Sequence, residues 1–158
     1  MVILAILASG AVPARAQEIS KKEEEYKKMT TLIESGRYIF RVQSISPTGA
    51  RTIHTTSAYT MTSGEGGFKA SLPYFGRSYQ ANYGGDGGIE FDGEPENLEI
   101  TRIDKKRTIR VSFMISGSND KYSVNLSAGS NGYGTLSITC NNRQPISYYG
   151  TINPLDSP

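Results

Sequence analysis

A mainly β fold is predicted for this chain of 158 residues: one N-terminal α-helix, then an antiparallel meander of about 8–9 strands that is barrel-like or a sandwich. Three observations predict it. Apolar residues recur at helical spacing only before Gly36; from Arg37 onward they alternate with polar ones; and turn-forming clusters break the alternation about every ten residues.

The helix is expected over residues 18–35. Ser20 and Glu23 stand in capping-box spacing, so the hydroxyl can accept from the backbone three residues on while the carboxylate reaches back. Glu23 with Lys27 and Glu24 with Lys28 are one turn apart in the favourable order, on a solvated face. Tyr26, Met29, Leu32 and Ile33 form the apolar stripe, so the helix should dock by its second half, and Gly36 should end it in the left-handed region.

Tyr38, Phe40 and Val42 alternate with Ile39, Arg41 and Gln43 until Ser46-Pro47-Thr48-Gly49 breaks the run. Ile53, Tyr59 and Met61 mark one longer, more polar strand; Phe68, Ala70 and Leu72 make the next; Ile89 to Phe91 and Leu98 to Ile103 follow. After a turn at Asp104-Lys105-Lys106 the alternation is cleanest, with Ile109, Val111, Phe113 and Ile115 against Thr108, Arg110 and Ser112, then Tyr122, Val124 and Leu126 against Ser123, Asn125 and Ser127. Leu136, Ile138 and Cys140 precede the turn Asn141 to Gln144, and Pro145 to Ile152 closes the set. Such half-apolar strands belong to antiparallel sheets. The helix is expected to cover an open end or edge, and the tail after Ile152 (residues 154–158 in the domain division) to be loose.

Residues 1–16 read as a secretory signal peptide, because Met1 to Val12 is too short to span a bilayer and leads into Ala14-Arg15-Ala16, a small-x-small cleavage site without a basic n-region before it. The mature chain, a single β-rich domain over residues 17–153, is expected in the periplasm or secreted, with no transmembrane segment. A net charge of +2 does not suit electrostatic capture of nucleic acid.

Between Tyr74 and Gly93 the composition departs from both strand and linker: six glycines, five aromatics and one arginine in twenty residues. It is expected to form a rigid loop within the curved sheet, with Gly84 to Gly88 as the tight part and the rings pinning it. Together with Tyr74-Phe75-Gly76-Arg77, Tyr83-Gly84-Gly85-Asp86-Gly87-Gly88-Ile89, Phe91-Asp92-Gly93 and Asn141-Asn142-Arg143-Gln144-Pro145-Ile146-Ser147-Tyr148-Tyr149-Gly150, it makes a pattern. By these motifs the chain resembles a family of small exported proteins of Bacteroidota, domain of unknown function 4251, over nearly all of its mature length. The resemblance implies an envelope location and no particular chemistry. Some members look like lipoproteins, and the absence of a cysteine near this N-terminus departs from that pattern.

A catalytic constellation is not visible. His54, the only histidine, sits in a Thr/Ser-rich run and reads as an exposed strand residue; Cys140, the only cysteine, shares the alternation of Leu136 and Ile138 and reads as a core thiol. One histidine and one cysteine do not make a zinc site, Asp86, Glu90 and Asp92 lack the dense acidic loop of an EF-hand, and no Lys-Ser/Thr follows the glycines as a phosphate cradle needs. No cofactor or metal is called for.

The candidate ligand-binding residues are Tyr74, Phe75, Arg77, Tyr79 and Tyr83, with Tyr148 and Tyr149 expected to come near them in space. A guanidinium among rings can stack and present a donor fork to a carboxylate or sugar; Arg77 could equally pair with Asp86 or Asp92 and staple the loop. The expected function is therefore a non-catalytic binding or accessory module, contacting a small amphipathic ligand, a glycan or an envelope protein. A structural or interaction role through a strand edge or the charged helix is the alternative, and a hydrolase built on His54 or the carboxylates is a third.

Overall fold

The computed structural model describes residues 13–76, 87–118 and 120–155. Helix α1, Ala14–Ser35, is followed by strands β1 (Tyr38–Pro47), β2 (Ile53–His54), β3 (Thr60–Gly64), β4 (Gly67–Leu72) and β5 (Ile89–Gly93). Then come β6 (Glu96–Ile103), a 3-10 turn at Asp104–Lys106, β7 (Thr108–Ser116), β8 (Lys121–Gly129), β9 (Tyr133–Thr139) and β10 (Ile146–Pro154). All pairings are antiparallel, in the order β5-β4-β3-β1-β10-β9-β8-β7-β6, with β2 appended to β1.

The order closes on itself through the chain. β5 and β6 lie at opposite ends of the path, yet only Glu94 and Pro95 separate them in sequence. β5 pairs with β4, whereas β6 pairs with β7, and an isolated bridge joins Phe91 to Gly117 just beyond the end of β7. Residues 89–103 thus act as one long strand that changes partners midway. The sheet is pinched shut at Phe91 and opens as a wedge between β6 and the β3–β4 hairpin.

The inner face is filled. Phe68 of β4 stacks on Phe113 of β7 across the sheet, with ring centroids 4.0 Å apart, and Phe91 meets the same ring edge-on at 6.5 Å. Opposite walls therefore touch, and a ligand must be met elsewhere than along the axis of the curl.

Helix α1 plugs one end, burying Met29, Thr30 and Ile33, with Tyr26 and Leu32 half-buried against the core. Docking by the second half is as expected, and Gly36 closes the helix at φ +68°, its N–H bonding the Ile33 carbonyl. The start differs. Ser20 lies inside the helix, which begins after Pro13, because Ala14 to Gln17 are themselves good helix formers and proline fits an N-terminal boundary. Of the two expected ion pairs Glu24–Lys28 forms, at 3.2 Å; the other observed pair is Glu18–Lys22 at 2.9 Å, and Glu23–Lys27 does not form.

Two strand expectations need correction. Ile53 and Met61 belong to separate strands, β2 and β3, since Ser57 and Ala58 intervene without pairing. The alternation expected from Tyr38 to Gln43 holds in β1, and a bulge between Val42 and Ser44 then turns Ser44 and Ile45 both inward. Asn153 and Pro154 are not loose: they extend β10 opposite Ile39 and Tyr38, and the Leu155 N–H bonds the Arg37 carbonyl, a ladder the prolines gave no hint of.

Candidate functional site

The end of the curl away from α1 is where β4 runs out into the glycine-aromatic loop, β5 comes back from it, and the β7–β8 and β9–β10 turns meet them. Arg143, in the β9–β10 turn, is the centre of that end. Its guanidinium donates to the carbonyls of Gly87 at 2.9 Å and Gly88 at 3.0 Å, and stands over the Tyr74 ring, 5.1 Å from its centroid. Its Nε lies 3.6 Å from Asp120 Oδ2, and the two side chains are only 6% and 3% exposed. Asp120 Oδ1 accepts from the Asn142 amide, whereas Oδ2 has no hydrogen-bond donor among the described residues and is held by charge alone.

Tyr74 and Gly87 are the two feet of the loop. One arginine therefore meets both, as a cation over the ring of the entering limb and as an N–H donor to the returning limb. Further bonds tie the entering limb to the same turn: the Tyr74 hydroxyl donates to the Gln144 carbonyl at 3.0 Å, and the Tyr148 hydroxyl to the Pro73 carbonyl at 2.7 Å. Burial pushes the Tyr148 phenol well above its ordinary pKa, so it stays a neutral donor. The Tyr122 phenol is raised too, chiefly by burial.

The structure brings some of the predicted residues together and separates others. Tyr74 is half-buried against Arg143; Phe75 beside it is 52% exposed and free to make contact. Tyr148 faces the core and serves the loop through its hydroxyl only, which removes its ring from any ligand surface. Tyr149, its neighbour in sequence, points to the opposite face of β10, as strand alternation requires, and stacks on Tyr133 at 5.7 Å with nearly parallel rings. Arg77, Tyr79, Tyr83 and Asp86 lie outside the described residues, as does the tight glycine turn Gly84 and Gly85. Asp92, the other suggested partner of Arg77, pairs with Lys69 at 3.2 Å.

His54 is exposed on β2, as expected. Cys140 lies just past β9 and is half-buried against the core, less enclosed than its alternation suggested. Glu90 and Asp92 face outward on β5. Arg143 escaped the sequence reading because Asn141 to Gln144 reads as a solvated turn and arginine is rarely buried. The one signal was its company: Arg143 stands in the Asn141 to Gly150 motif ahead of Tyr148 and Tyr149, and Asp120 stands just ahead of Tyr122.

Known proteins bear on this geometry in two ways. A family model described as domain of unknown function (DUF4251) matches residues 20–152. A crystal structure of a DUF4251 family protein from Bacteroides eggerthii DSM 20697, at 1.95 Å resolution, superposes with a TM-score of 0.65 over 85% of this chain and 91% of that one, at 17% identity, a likeness of fold. None of the curated proteins matches the chain.

Proposed function

The chain belongs to the DUF4251 family, domains of unknown function, and from that premise we propose that it is a non-catalytic binding or accessory module of the bacterial envelope, meeting its ligand through the glycine-aromatic loop. The observation that carries this reading is the double attachment of Arg143 to Tyr74 and to the Gly87 and Gly88 carbonyls. A buried arginine–carboxylate pair is a poor source of stability, and its best use is to select one conformation. Here the conformation selected is that of the two ends, Tyr74 and Gly87-Gly88, between which the sequence carries Phe75, Arg77, Tyr79 and Tyr83. Fixed feet lower the entropy lost when such a loop meets a partner.

Export fits the same reading. Cleavage after Ala16 would trim α1 by its first three residues and leave Met29, Thr30 and Ile33 in place. The ligand class favoured is a small amphipathic molecule or a glycan, met by the exposed Phe75 and by the tyrosines and arginine that the sequence places in the loop.

Thermal-shift and native mass spectrometry measurements against bile acids, envelope glycans and lipids test the proposal. Stabilisation by at least one class, lost in Phe75→Ala and Tyr79→Ala, is expected. Stabilisation by none of them, or stabilisation that survives both substitutions, would overturn it.

An interaction role is the second reading, favoured by the open edge of β6 and by the solvated Lys/Glu face of α1. Deleting the helix cannot test it, since its second half is part of the core. Reversing the charges of Lys21, Lys22 and Lys27 leaves the core intact and would abolish a partner that reads that face.

A further inference from the structure

The wedge left by the partner change of residues 89–103 opens at the α1 end, away from the Arg143 turn. β6 has no strand on its outer side, so the inner face of this strand is uncovered: Leu98 is 49% exposed and Ile100 38% exposed, although Ile100 stands opposite the fully buried Val111. Sheet alternation alone would have buried them both. They line a cavity of about 370 Å³ whose floor is core, made by Ile33 of α1, Tyr38 of β1, Phe68 of β4 and Val111. Its volume lies within the usual range for small-molecule sites, toward the small end.

The rim is acidic and its charges are not equal. Glu34 is neutralised by Arg102, which donates to it through Nε at 2.9 Å, and Glu65 by Arg37 at 3.1 Å. Glu94, in the link between β5 and β6, has no ion-pair or hydrogen-bond partner among the described residues. Three carboxylates with two guanidiniums leave one uncompensated negative charge at the mouth of an apolar slot. The walls are fixed: the Ser63 hydroxyl donates to the Gly36 carbonyl at 2.9 Å, tying the β3–β4 hairpin to the helix cap, and Arg102 ties β6 to the same helix.

We propose that this wedge binds the alkyl chain of a small amphipathic cation, with the chain between Ile100 and Phe68 and the single positive head at Glu94. The chain replaces water against Leu98 and Ile100, and the head supplies the missing countercharge. An anionic or neutral amphiphile would satisfy only the first of these. The site is independent of the loop contact surface, so either can fail while the other stands.

Calorimetric titration of the full chain with octylammonium, octanoate and octyl glucoside, each below its micelle concentration, separates the possibilities. Octylammonium is expected to bind about tenfold more tightly than octanoate. Glu94→Gln should remove most of that difference while leaving octyl glucoside unchanged, and Ile100→Ser, with Leu98→Ser as a second variant, should weaken all three. The proposal is overturned by equal affinity for cation and anion, by no binding of octylammonium, by indifference to both serine variants, or by a concentration-dependent dimer that closes the wedge against ligand.

Discussion

Arg143 stands over the Tyr74 ring, its guanidinium carbon 5.1 Å from the centroid, while the same group donates hydrogen bonds to the carbonyls of Gly87 and Gly88. Two chain segments separated by the loop are thereby joined through a third, the β9–β10 turn. The arrangement ties the loop feet to the sheet end through the buried Arg143 and leaves Phe75 exposed.

Arg143→Ala is expected to cost about 3–5 kcal/mol, since it strands the Asp120 carboxylate in a buried site with Asn142 as its remaining hydrogen-bond partner. Replacing both members, as Asp120→Asn with Arg143→Met, should cost less than Arg143→Ala alone. Denaturant melts of the three variants check this, and equal losses would show that the charge pair is not the unit.

Gly67 has φ +94°, and a Cβ there would overlap the Gly93 carbonyl, which marks the point where β5 leaves β4. Gly67→Ala should therefore destabilise by roughly 3 kcal/mol or more. Gly66→Ala, one residue earlier with open space around it, should stay within about 0.5 kcal/mol of the parent.

Alkaline pH should unfold the chain through its buried phenols. Burial raises the pKa of both Tyr38 and Tyr148 in the folded state above the unfolded value near 10. The neutral forms are present in both states below pH 10, so stability is retained there; above it the unfolded chain ionises first and stability falls by about 1.4 kcal/mol per pH unit for each tyrosine. Tyr38→Phe and Tyr148→Phe should each flatten that slope. Tyr148→Phe should also cost about 1 kcal/mol at neutral pH for the lost bond to Pro73.

Tyr133 and Tyr149 form a diagonal cross-strand pair on the solvent face, and Tyr149 is 45% exposed. A double-mutant cycle to alanine should give a coupling of about 0.5–1 kcal/mol. Because the pair faces away from Arg143's side of β10, Tyr149→Ala should leave loop-dependent binding unchanged.

Much of the architecture was legible because the strands from Thr108 to Ile152 alternate with few breaks, Met114 and Tyr149 among them, and alternation assigns faces. The helix stripe of Tyr26, Met29, Leu32 and Ile33 was legible for the same kind of reason. Alternation is silent, however, on whether a face is covered, so the exposure of Leu98 and Ile100 could only come from seeing β6 at the edge of the wedge. It is equally silent on pairing. Nothing in Gly93-Glu94-Pro95 says that β5 and β6 take different neighbours. At the site, Tyr74 and the glycines drew notice by composition, while Arg143 and Asp120, distant in sequence and lodged in polar turns, acquired their role only through burial.

Hydrogen exchange read by mass spectrometry tests the central claim most directly, comparing the parent chain with Arg143→Lys, which keeps the charge facing Asp120 and loses the planar fork. If one guanidinium holds both feet of the loop, amides in segments 72–76 and 87–91 should exchange at least about tenfold faster in the variant, while those of β8 and β9 keep their protection. Unchanged exchange at both feet, or loss at only one of them, would contradict it.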